Sequence, residues 1–159
     1  MSDFTKAQVF SALCVPLEDI IDWAVSLLMM DYDSPSLRIL AGLTHVNNRQ
    51  EITYYVDKTL QEFNVYKLEG KAAVLAYTAV LLKDFINGKI SQAQGIGEIH
   101  QLCLNWDYLE EIFDFYLLWN ALDDFRYDDV QFYWPNATKE NISNIIREQA
   151  KKWLETYNL

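Results

Sequence analysis

The sequence predicts an all-α domain, on three observations. Only three prolines and five glycines punctuate its 159 residues, strict alternation of polar and apolar residues is hard to find, and apolar residues recur at spacings of three and four over long stretches. The length is that of one domain, residues 1–159, and 51% hydrophobic residues supply a substantial core. The expectation is a compact set of about seven helices with short loops and antiparallel neighbours. No repeat signature recurs at a fixed period, so bundle and curved repeat both stay open.

The first helices are expected over 4–13 and 17–30, separated at Pro16, with Ile20, Ile21, Ala24, Leu27 and Leu28 as the buried stripe of the second. In "DYDSPSLRILAGL", Ser34 is an N-cap and Pro35 occupies the first helical position of a short helix that stops near Gly42. Asn48, with Glu51 three residues on, opens a helix to about Phe63. Its core stripe is Ile52, Val56, Leu60 and Phe63, with Tyr55, Thr59 and Glu62 on another side.

"GKAAVLAYTAVLLKDFINGKI" predicts an apolar helix ending at Gly88, placed near the centre because its alanines permit close approach. The next helix is expected to begin at Gly95 or Gly97, another to run over 107–122, and the last over 138–157 with Thr138 as a cap. In the last, Ile142, Ile145, Ile146, Gln149, Trp153 and Leu154 define a mixed apolar face.

The composition excludes several functions. A formal charge of −10 repels nucleic acid and anionic membrane, and attracts basic proteins or small cations. The start lacks a basic region and a sustained apolar core, so no secretion signal is read, and the longest apolar runs fall short of a bilayer span. A cytoplasmic protein is expected, with Cys14 and Cys103 as buried thiols of a reducing compartment.

Common catalytic and metal motifs are missing. There is no HExxH, no GxxxxGK[ST] and no GxSxG, and "DDFRYDDVQFYW" lacks the central glycine and final glutamate of a calcium loop. The two histidines, His45 and His100, read as structural. No catalytic residue, metal ligand or cofactor is therefore assigned.

What remains is "ALDDFRYDDVQFYWP", residues 121–135. Between Trp106 and Trp134 the chain carries eight acidic residues against Arg126 alone, a local charge of −7, together with eleven aromatics. Asp107, Glu110, Glu111 and Asp114 follow helical spacing and read as an acidic stripe. Asp123, Asp124, Asp128 and Asp129 repel one another with only Arg126 to compensate, beside Tyr127, Tyr133 and Trp134. Rigid aromatics next to uniform charge are what a docking surface for a charged partner requires. The candidate partner-binding residues are thus Asp123, Asp124, Arg126, Tyr127, Asp128, Asp129, Tyr133 and Trp134.

In size, charge and helicity the chain resembles the small acidic helical immunity proteins that bacteria make against their own toxins. That resemblance implies one cognate partner, a basic toxin domain such as a nuclease, whose active site or substrate surface is blocked. It rests on no motif, so no functional residue is carried over. Two other classes stay open: a small helical enzyme with a pocket around Arg38, Arg49, Arg126 or Arg147, and a helical scaffold or adaptor with an exposed apolar groove.

Overall fold

Among residues 4–43 and 48–159, which the computed structural model describes, all regular structure is helical. Eight α-helices and one short 3-10 turn follow one another without a strand among these residues. His45 lies outside the described residues. The chain divides into two units by its internal contacts, Met1–Tyr77 and Thr78–Leu159.

In the first unit α1 (Thr5–Phe10), α2 (Leu17–Met29), α3 (Pro35–Gly42) and α4 (Arg49–Glu62) pack as successive neighbours, with α1 also against α4. The expected caps form: the Ser34 hydroxyl accepts from the Leu37 N–H, and Asn48 Oδ1 accepts from the Gln50 and Glu51 N–H groups. On α2 the buried residues are Ile20, Trp23, Ala24 and Leu27, so Trp23 replaces the half-buried Ile21 and Leu28 in the expected stripe. On α4, Ile52, Val56 and Leu60 of the expected stripe are buried but Phe63 is half-buried, and Thr59 joins the buried residues, its hydroxyl satisfied by the Tyr55 carbonyl at 2.8 Å.

Two side chains tie the first unit together. The Arg49 guanidinium donates to the carbonyls of Phe10, Leu13 and Val15 at 2.9, 2.6 and 2.9 Å, and lies 4.3 Å over the Phe10 ring. It thereby satisfies carbonyls that the end of α1 leaves open. The Glu62 carboxylate, at the last turn of α4, accepts from the Ser36 hydroxyl at 2.7 Å and the Ser36 N–H at 3.2 Å, at the first turn of α3. Partial desolvation raises the Glu62 carboxyl, but the hydrogen bonds from Ser34 and Ser36 outweigh it and hold the group below its ordinary value. Around Phe4, the rings of Trp23, Tyr32 and Phe63 pack at centroid distances of 5.2 to 6.0 Å.

The fifth helix, α5 (Gly70–Ile86), starts in the first unit and ends in the second. Every residue from Tyr77 to Leu82 is buried, so this stretch has no solvent face, as its apolar sequence predicts. In the second unit follow α6 (Gln92–Asn105), the 3-10 turn Glu110–Ile112, α7 (Phe113–Asp124) and α8 (Ile142–Tyr157). Helix α7 packs against both α6 and α8.

Four boundaries differ from expectation. Helix α1 ends at Phe10, three residues short of the expected 13. Helix α6 starts at Gln92, three residues before Gly95, because the Ser91 hydroxyl caps it by accepting from the Gln94 N–H at 3.1 Å. Gly95 and Gly97 are close-approach positions inside it: a Cβ on Gly95 would stand 3.3 Å from Phe85, and one on Gly97 2.9 Å from Trp119 Nε1.

The helix expected over 107–122 begins only at Phe113. Asp107 and Tyr108 both take positive φ, 53° and 58°, and the Tyr108 N–H reaches back to the Cys103 carbonyl at 2.8 Å, which ends α6. Asp107 is therefore on a turn, and the four-residue acidic stripe on one helix does not exist. The last helix is regular only from Ile142, yet Thr138 does cap its approach. Its hydroxyl accepts from the Asn141 N–H at 3.3 Å while Asn141 Oδ1 accepts from the Thr138 N–H at 2.7 Å.

Both cysteines are free, and Cys103 is buried, but Cys14 is exposed in the turn between α1 and α2.

Candidate functional site: an acidic aromatic loop

The eight residues singled out by the sequence occupy the end of α7 and the connection to α8. Asp123 and Asp124 form the last helical residues, Phe125 closes the helix, and Arg126 and Tyr127 lie on the turn beyond it. Asp128 and Asp129 follow in irregular chain, then Tyr133 and Trp134. Phe125 turns inward at 8% exposure, which leaves its neighbours outside.

The charges are less uniform than expected. Asp123 pairs with Arg126 at 3.2 Å, and Asp129 pairs with Lys139, whose ammonium holds the Asp129 carboxyl below its ordinary value. Lys139 was not foreseen as a compensating charge, because the loop folds back to bring it near Asp129. Asp128 accepts from the adjacent Asp129 N–H. Asp124 and Asp128 make no ion pair among the described residues. Asp124 also stands at the C-terminal end of α7, where the helix dipole is negative and no basic residue occupies the last turn.

Connection 127–138 is irregular but hydrogen-bonded. Gln131 organises it: Oε1 accepts from the N–H groups of Tyr133 and Trp134, both at 2.8 Å, while Nε2 donates to the Trp134 carbonyl at 2.6 Å and the Ala137 carbonyl at 3.4 Å. Asn136 takes positive φ and its carbonyl accepts from Asn141 Nδ2 at 3.0 Å. The loop is thus tied to itself and to the start of α8.

The aromatics of this region divide into two sets. His100 of α6 stacks between Tyr116 and Trp119 of α7, at centroid distances of 4.9 and 4.3 Å, and Phe113 and Tyr108 extend the array at 5.4 Å each from Tyr116. Burial holds the His100 imidazole below its ordinary pKa, opposed in part by the Asp123 charge. The second set points outward: Tyr127 is 85% exposed, Phe132 93% and Tyr133 42%, with Val130 at 53%. Trp134 is half-buried. Val130 and Phe132 were not among the predicted residues, although Phe132 is the most exposed large hydrophobic of the loop.

An open cleft of about 420 Å³ lies elsewhere in the second unit, lined by Glu110, Glu111 and Asp114 on one side and by Gln149, Lys152, Trp153 and Tyr157 of α8 on the other. Gln149 donates to Asp114 at 2.8 Å and Trp153 Nε1 to the Glu111 carbonyl at 2.7 Å. In the first unit a smaller cleft, about 210 Å³, is lined by Asp57, Leu60, Gln61, Val65, Tyr66 and Lys67.

None of Arg38, Arg49, Arg126 and Arg147 lines either cleft. Each is engaged instead: Arg38 with Asp33, Arg49 with three carbonyls, Arg126 with Asp123, and Arg147 with the Ile86 carbonyl. Among the described residues no group of three His, Cys, Asp or Glu side chains is arranged to hold a metal ion, and no helix is long and apolar enough to cross a membrane.

The chain matches no known protein-family profile, no curated protein and no solved structure.

Proposed function

We propose that this chain is an acidic protein-binding module that docks a basic protein through the end of α7 and the loop after it. The observation that carries the reading is the pairing of Asp124 and Asp128, both without an ion-pair partner among the described residues, with the outward Tyr127, Tyr133 and Phe132. Asp124 at the negative end of a helix dipole is locally unfavourable, and a cationic partner would relieve it. Exposed aromatics supply contact area that charge alone does not.

A net charge of −10 steers such a partner towards the protein over distances of about a Debye length. The function that fits is neutralisation of a basic toxin domain, in the manner of an immunity protein, with a nuclease as the partner class whose substrate surface is itself cationic. Arg126, held by Asp123, and Asp129, held by Lys139, form the rim of the site.

The test is inhibition. Added in equal amount to its purified partner, the protein should abolish the partner's activity on nucleic acid, and reversal of Asp124 and Asp128 to lysine should restore it. Full partner activity in the presence of the bound wild-type protein would remove the inhibitory role while leaving docking in place.

A further inference from the structure

We infer that Phe132 is the apolar anchor of this docking surface, and that the partner presents an apolar pocket bordered by lysines or arginines. The inference rests on the reading of the acidic loop as a docking surface and names the partner chemistry it requires.

At 93% exposure the Phe132 ring lies almost wholly in water, and it is not a single scattered apolar residue, since Tyr127, Val130 and Tyr133 of the same loop are exposed as well. It is also not a random excursion of slack chain. Phe132 sits between Gln131 and Tyr133, and the Gln131 carboxamide accepts from the N–H groups of Tyr133 and Trp134 and donates to the Trp134 carbonyl. The turn that carries the ring is therefore fixed by side-chain hydrogen bonds before any partner arrives, which removes ordering cost from binding. Val130 and Tyr133, at 53% and 42% exposure, add apolar surface on either side in the chain.

Charge selects the occupant. Asp123, Asp124, Asp128 and Asp129 against Arg126 and Lys139 leave the patch negative through Asp124 and Asp128, so a second copy docking through the same patch would face its own charge, and an anionic bilayer would be repelled. A pocket ringed by cations meets both the ring and the carboxylates. Gln131 acts as a positioning residue, and its loss should lower the fraction of loops ready to bind, without changing the contacts made once bound.

The test places a photo-crosslinking benzoylphenylalanine at Phe132 and, as control, at Tyr66, which is equally solvent-facing at 87% exposure. Illumination in soluble extract of the source cells should yield an adduct at 132 and not at 66, joined to a protein segment that combines apolar residues with Lys or Arg. A self-adduct, a lipid adduct or no adduct above the Tyr66 control overturns the inference. With the crosslinked partner purified, Phe132→Ala should speed dissociation by roughly 30-fold, the size of a central hot-spot loss. Gln131→Ala should slow association and leave dissociation nearly unchanged. If Asp124→Lys abolishes binding while Phe132→Ala leaves the dissociation rate unchanged, the anchor is refuted and the acidic docking reading stands. If neither substitution alters binding, both are refuted.

Discussion

Gln131 holds Trp134 from both sides, its Oε1 accepting from the Trp134 N–H at 2.8 Å and its Nε2 donating to the Trp134 carbonyl at 2.6 Å. A single side chain thus substitutes for the ladder hydrogen bonds that an irregular segment lacks. The expected consequence is slow amide exchange at Tyr133 and Trp134 in the free protein. Gln131→Ala should raise exchange at these two amides by tenfold or more, while amides within α7 keep their rates. Unchanged exchange at both positions would show that the loop does not depend on Gln131.

Gly97 and Trp119 set the spacing of α6 and α7. A methyl at position 97 would stand 2.9 Å from Trp119 Nε1, and the indole cannot swing aside freely because it stacks on His100 at 4.3 Å. Alanine gains up to about 1 kcal/mol in helix propensity, but overpacking of this kind costs about 1–3 kcal/mol. Gly97→Ala is expected to destabilise by about 1 kcal/mol in urea unfolding, and Gly97→Ala combined with Trp119→Leu should recover most of the overpacking term. A stabilised single variant would contradict the close packing.

Glu62 makes the first unit sensitive to acid. Its folded pKa lies below the unfolded value, so its contribution is present above the unfolded pKa and is lost as pH falls through the folded pKa. Hydrogen bonds to a charged group contribute about 1.5–3 kcal/mol when shielded, and solvent exposure reduces this to about 1 kcal/mol here. Glu62→Gln should therefore lower stability by about 1 kcal/mol at pH 7 and by much less at pH 3. A difference between the two proteins that is independent of pH would contradict the assignment.

Arg49 tests the distinction between arginine and lysine. Three carbonyls and a ring face share its planar guanidinium, a pattern that one ammonium cannot reproduce. Arg49→Lys should cost about 2 kcal/mol of stability. A loss below about 0.5 kcal/mol would place Arg49 among ordinary surface charges.

Much of the helical order was legible because its signals are local. Ser34, Pro35 and Asn48 each act within four residues and perform the capping or initiating role their positions predict, while Thr138 bonds the Asn141 N–H in the turn before α8 and not the helix itself. The start of α6 was misread because glycines are ambiguous. Gly95 and Gly97 look like helix breakers in sequence but accommodate Phe85 and Trp119 in space. The break at Asp107 and Tyr108 was hidden for the opposite reason, since neither residue advertises a left-handed conformation as glycine would.

At the candidate site the acidic residues were visible, but their pairing was not. Lys139 neutralises Asp129 through the fold of the loop, which leaves Asp124 and Asp128 as the carboxylates with most to gain from an external cation. The exposure of Phe132 was also invisible, because an aromatic in a sequence reads equally well as core. In the structure the ring is 93% exposed, on a turn whose following backbone, at Tyr133 and Trp134, is held by Gln131.

The most direct measurement is affinity capture from soluble extract of the source cells at low and high salt, using wild-type protein and the variant with Asp124→Lys and Asp128→Lys. One basic protein should be retained by the wild type in near-equal amount, be released by salt, and be absent from the variant. No specific partner, or a partner that the charge-reversed variant retains with the same salt response, would contradict an acidic docking function.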